Sequence, residues 1–89
     1  MATDARITKE DANYLARVSH DGLALTIRPC HTIRDGDTMF AMATGYNGSR
    51  LDLTSLGAAA VEVTGQAVLR AVRQATGIGG IPAINELEI

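Results

Sequence analysis

The chain has no tryptophan, two tyrosines, one phenylalanine, two prolines and one cysteine among its 89 residues. Each scarcity excludes something. The single cysteine, Cys30, permits no intrachain disulfide and fits a reducing compartment. A net charge of −2 and 3% aromatic content leave no basic, aromatic-studded surface, so nucleic-acid binding has no electrostatic footprint. No apolar run approaches the roughly 18 residues of a membrane-spanning helix. The start, Met1-Ala2-Thr3-Asp4-Ala5-Arg6, lacks the basic and then apolar stretches of a signal peptide. A cytoplasmic location is expected, without nucleic-acid or membrane partners. Asn47-Gly48-Ser49 matches a glycosylation sequon but is expected to serve as a turn.

Aliphatic side chains are abundant. Hydrophobic residues make up 46% of the chain against 20% charged, too apolar for disorder. The length allows one domain, residues 1–89. A chain this short buries only about 60–65% of its unfolded surface. The composition therefore describes a piece that has more apolar surface than it can enclose alone.

Thr8-Lys9-Glu10-Asp11 reads as a helix start, with Thr8 as cap and acids at the positive end of the helix dipole. Ala12, Leu15, Ala16, Ser19, Leu23 and Ile27 follow at spacings of three and four, the pattern of an amphipathic helix. It should stop by Arg28, because Pro29 disfavours the α conformation before it. Gly22 weakens that helix by about 1 kcal/mol relative to alanine. A close helix-to-sheet approach would explain its presence. Thr38 to Thr44 is a continuous apolar run of strand length without clean alternation, predicted to be a strand covered on both faces.

Asp52-Leu53-Thr54-Ser55 opens a second helix, capped by Asp52 or Thr54 and running to about Thr76. Its apolar residues nearly encircle it, leaving only Glu62, Gln66, Arg70 and Arg73 as a polar stripe. So narrow a wet face predicts a mostly buried helix, and the chain holds too little material to bury it. Gly77 suits the C′ position, and the glycine-rich tail beyond it is expected to wander. Ala2-Thr3 reads as the end of a strand. The predicted class is α/β, in the order (β)-α-β-α.

Among candidate chemical groups, His20, Cys30 and His31 fit no standard zinc spacing, and neither metal nor cofactor is expected. His20 reads as a surface or interface residue and Cys30 as a small buried hydrophobe. As neighbours, Cys30 and His31 make a poor nucleophile–base pair. Ser49 and Ser55 lack a nucleophile-elbow context. Asp35-Gly36-Asp37 remains. Asp-Gly is a common turn dipeptide. If the segment is extended, however, side chains two apart fall on one side, and the two carboxylates would face one site and titrate as a unit. Such a pair needs a nucleophile or metal to serve, and no convincing one is present.

The run His20-Asp21-Gly22-Leu23-Ala24, then Ile27-Arg28-Pro29, His31-Thr32, Asp35-Gly36-Asp37-Thr38, Phe40-Ala41 and Ala43-Thr44-Gly45, resembles the C-terminal β-subunit of the L-aminopeptidase/D-esterase family. That family includes β-peptidyl aminopeptidases and nylon-oligomer endohydrolases. Ala2-Thr3-Asp4-Ala5, Leu56-Gly57-Ala58-Ala59-Ala60 and the stretch from Ala75 to Ala83 extend the resemblance to nearly the whole chain. It implies an αββα sandwich of which this chain is a (β)-α-β-α portion, incomplete without an α-subunit or a second copy. It implies a precursor that cleaves itself, freeing an N-terminal Ser or Thr as nucleophile, with short peptides, amino-acid amides or amide oligomers as substrates. By resemblance Asp37 orients or polarises that nucleophile and Asp35 tunes the charge around it.

The nucleophile itself is expected a few residues upstream of Met1. Thr3 is no substitute, because it corresponds to an interior strand position. The leading expectation is thus a β-subunit-like part of an amidohydrolase, inactive alone, whose site residues Asp35 and Asp37 support an absent Ser or Thr. A non-catalytic module that self-associates or binds a partner is the alternative. A free-standing enzyme using the two aspartates, with or without a metal, ranks last.

Overall fold

The computed structural model describes residues 1–87. The elements run in the order β1 (Ala2–Thr3), α1 (Lys9–Thr26), β2 (Met42–Ala43) and α2 (Leu53–Gln74), followed by a 3₁₀ turn at Ile84–Glu86. The two strands pair in parallel, with Ala2 opposite Met42 and Thr3 opposite Ala43. The right order of elements is therefore present. The predicted strand over Thr38–Thr44 is shorter than expected, because only Met42–Ala43 has a ladder partner.

Both helices start where their polar residues dictate. Thr8 Oγ1 accepts from the Asp11 amide at 3.1 Å while Asp11 Oδ2 accepts from the Thr8 amide at 3.3 Å. This reciprocal box satisfies two donors that the first turn leaves unpaired. Asp52, not Thr54, caps α2: its Oδ2 accepts from both the amide and the hydroxyl of Ser55, each at 3.0 Å. These two bonds, the amide first, hold the Asp52 carboxyl below its ordinary value of 3.8. Ser55 is thus a helix-start residue, as its context suggested.

The helices pack on each other, and the approach is closest at Gly22. A methyl group there would lie 2.6 Å from the Val61 carbonyl oxygen and 2.7 Å from Thr64 Cβ. The glycine is required, but by a neighbouring helix and not by a sheet. Gly57 answers it from α2, where a Cβ would sit 3.3 Å from the Tyr14 ring. The core is small: Ala5, Leu15, Leu56 and Ala60, with Met1, Ile7, Tyr14, Ala41 and Leu53 packed around them.

Much of the apolar surface stays outside. Phe40 is 79% exposed and Met42 62%, so the β2 segment is not covered on both faces within this chain. On α2, Val63, Leu69 and Val72 face outward although the helix is apolar nearly all round. The expectation of a mostly buried α2 does not hold within these 89 residues.

The glycine-rich tail is more ordered than expected. Helix α2 is capped at Ala75, so Gly77 lies beyond the C′ position. Gly79 and Gly80 both have positive φ, at 61° and 81°, and close a tight turn between Ile78 and Ile81, which exchange backbone bonds at 3.0 Å. Two consecutive left-handed residues at the turn centre explain why glycine fills both. Glu86 then accepts from the amides of Gly77 and Ala83, and Asn85 donates to the free Arg73 carbonyl at 3.2 Å. At the other loop, Gly45 and Gly48 take positive φ and Gly48 donates to the Gly45 carbonyl, closing a turn centred on Tyr46-Asn47, and Asn47 Oδ1 accepts from the Ser49 amide at 2.7 Å.

Candidate active site

The segment between α1 and β2 carries the titratable groups singled out in the sequence. It leaves α1 at Ile27 and turns at Thr32–Asp35, where the Asp35 amide donates to the Thr32 carbonyl at 3.0 Å. The turn centre is Ile33-Arg34, one step ahead of the Asp-Gly dipeptide. Gly36 itself needs no positive φ, and nothing lies within 4 Å of where its Cβ would be. The left-handed residue is instead His31, at φ 57°, a conformation to which histidine is better suited than most.

Each aspartate anchors this loop. Asp35 Oδ2 accepts from the Thr32 amide at 2.9 Å. Asp37 Oδ2 accepts from the His31 amide at 3.2 Å and from the Cys30 thiol at 3.5 Å. Residues 35–37 lie outside any paired strand, and the two carboxylates serve different backbone amides. Both remain exposed, so a reacting group could approach either.

The structure also gathers residues that spacing alone kept apart. His20, half-buried on α1, meets His31 through Nδ1 and Nε2 at 2.7 Å, with ring centroids 4.9 Å apart. Cys30 is half-exposed and not a buried hydrophobe. Partial burial, and then the Asp37 carboxylate that accepts from it and repels a thiolate, push the Cys30 thiol above its ordinary value. Cys30, His31 and Asp37 each present a ligand atom within 4.8 Å of the others. This cluster was missed because neighbouring residues ordinarily diverge. The left-handed turn at His31 changes that, and the sequence signals it only through Pro29 and the Asp-Gly step on either side.

Strand pairing places this loop relative to the chain start. The Met1 ammonium donates to the Phe40 carbonyl at 2.8 Å, and the Met42 amide donates to the Met1 carbonyl at 3.0 Å. The first residues therefore lie directly beside the strand that leads out of Asp35-Gly36-Asp37. No helix among the described residues is long and apolar enough to cross a membrane.

Comparison with known proteins agrees with the resemblance read from the motifs. An uncharacterized aminopeptidase of Mycobacterium bovis is 37% identical over 98% of this chain, which covers 29% of that protein. An uncharacterized aminopeptidase of Mycobacterium leprae is 40% identical over 92% of the chain, or 26% of its own length. The 6-aminohexanoate-oligomer endohydrolase of a Kocuria species is 36% identical over 82% of the chain and 24% of its own. The chain thus spans less than a third of the length of these relatives. No solved structure matches. The profile of Peptidase family S58 matches residues 1–84, and the chain belongs to that family.

Proposed function

We propose that this chain supplies the Asp35-Gly36-Asp37 part of an amidohydrolase active site and is not a complete enzyme by itself. The parallel register of β1 on β2 carries this reading. Extended backward in that register, a segment placed before Met1 would run alongside residues 37–40, bringing its side chains next to Asp37. A Ser or Thr a few positions upstream would then lie beside the exposed Asp37 carboxylate.

In this reading the hydroxyl is the nucleophile, freed as an N-terminus by self-cleavage. Its own α-amino group, with an ordinary pKa of about 8, can take up the hydroxyl proton. Asp37 orients the hydroxyl or the ammonium that forms, and Asp35 sets the charge around both. The acyl group passes to the hydroxyl oxygen, the amine leaves with a proton, and water releases the acid. Substrates are amides or esters of short peptides, amino-acid amides or amide oligomers. The chain is a (β)-α-β-α portion of an αββα sandwich, with an α-subunit or a second copy supplying the remaining layers.

The test grafts this chain in place of the matching segment of the Mycobacterium bovis relative, keeping that protein's upstream residues. Hydrolysis of amino-acid amides by the graft, with none from the 89-residue chain alone, is the expected result. A folded, self-cleaved graft with no hydrolysis of amides or 6-aminohexanoate oligomers refutes the reading.

One observation favours a second reading, a non-catalytic module that associates through its apolar faces. Phe40, Met42, Val63 and Val72 are each at least half exposed. On that reading the chain associates with itself or a partner, and the graft stays inactive.

A further inference from the structure

We propose that Cys30, His31 and Asp37 form a binding site for a borderline divalent metal of the zinc type, with His20 orienting His31 against it. The three ligand atoms lie within 4.8 Å of one another, and Cys30 Sγ is 3.5 Å from Asp37 Oδ2. A tetrahedral zinc, with bonds of about 2.3 Å to sulfur and about 2.0–2.1 Å to nitrogen or oxygen, sets its ligands roughly 3.3–3.7 Å apart. One edge of that triangle is already in range. The rest needs shifts of about 1 Å from side chains that are exposed or half-exposed.

The donor types choose the metal class. A thiolate and an imidazole favour zinc and its softer neighbours, whereas magnesium and calcium call for oxygen ligands throughout. With three protein ligands, the fourth position faces solvent and takes water. His20 completes the design from outside. Its Nδ1 meets His31 Nε2 at 2.7 Å, so a metal on His31 Nδ1 would leave that bond intact. Metal-bound histidines regularly make such a bond through the other ring nitrogen, and it fixes their tautomer and orientation. The left-handed backbone at His31 lets two adjacent side chains converge, and the backbone bond from His31 to Asp37 at 3.2 Å holds the third ligand in register. The site stands on these contacts alone and does not depend on the hydrolase reading.

The experiment is a Co²⁺ titration of the whole chain at neutral pH, followed by absorption. A complex of one cobalt per chain is expected, with a thiolate-to-cobalt charge-transfer band that Zn²⁺ displaces. Cys30→Ser should abolish the band. His31→Asn, which keeps a residue tolerant of positive φ, and Asp37→Asn should each weaken binding at least ~10-fold, and His20→Gln about 10-fold. Far-ultraviolet circular dichroism confirms the helices of each variant. Should one lose them, Cys30→Ala and His31→Gly give the same reading. The proposal is overturned by no charge-transfer band from the helical chain, or by a band indifferent to the His31 and Asp37 changes, which marks a lone thiol. One cobalt per two chains also overturns it, by showing bridging between cysteines of different copies.

Discussion

Asp37 carries more of this molecule's local order than its single carboxylate suggests. It accepts from the His31 amide and the Cys30 thiol, and so ties the end of the loop to its beginning. Partial burial, and then this carboxylate, raise the Cys30 thiol above its ordinary 9.0, so thiolate forms later as pH rises. Asp37→Asn removes both the accepting anion and its repulsion. The pH profile of Cys30 alkylation should therefore move to lower pH in that variant, and an unmoved profile would count against the contact. Asp35 and Asp37 could be picked out from the sequence, since two carboxylates around a glycine ahead of an apolar run stand out. Their partners could not. Which amides they accept from depends on the left-handed turn at His31, and no residue pattern specifies that a histidine adopts it. The gathering of His20 with His31 also needs the path of the loop back over α1.

At the scale of elements, the helix starts were legible and the helix surroundings were not. Thr8 and Asp52 cap where local chemistry says they should, because capping involves residues three apart in sequence. Thr8→Ala should lower stability by about 1 kcal/mol, read from chemical denaturation. Asp52 adds a pH dependence. Its carboxyl is held below 3.8 by the Ser55 amide and hydroxyl, so the folded state binds that proton less readily than the unfolded chain. Its stabilisation is present above pH 3.8 and is lost as pH falls through the folded-state value. Asp52→Asn should flatten that part of the acid limb in a thermal-melt series. Gly22 shows the opposite kind of legibility. Its presence signalled a close approach, but the approaching element is α2. In an open helix Gly22→Ala would gain about 1 kcal/mol. Here the methyl group meets the Val61 carbonyl at 2.6 Å, backbone that cannot rotate away. The substitution should cost about 1–3 kcal/mol, and a stabilised Gly22→Ala variant would disprove the close packing.

The whole molecule is more open than its length requires. A compact chain of this size has a radius of gyration of about 12 Å, whereas this one measures 15.8 Å with extents of 48 × 30 × 21 Å. Its accessible surface is 6727 Å², against about 5000 Å² for a typical monomer of its mass. The composition announced this imbalance, because α2 is apolar nearly all round and no other segment is long enough to cover it. What covers it is not written in these residues. If the exposed faces associate, the scattering mass should rise with protein concentration, and Val63→Glu with Val72→Glu should suppress the rise. On the proposed reading, the open edge alongside residues 37–40 is where the nucleophile segment would lie. The most direct test is turnover by the self-cleaved graft with and without Asp37→Asn. The account predicts that wild-type graft hydrolyses an amino-acid amide and that Asp37→Asn lowers kcat by on the order of 100-fold or more while self-cleavage and helicity persist. Unchanged kcat in a processed, folded Asp37→Asn graft would contradict it.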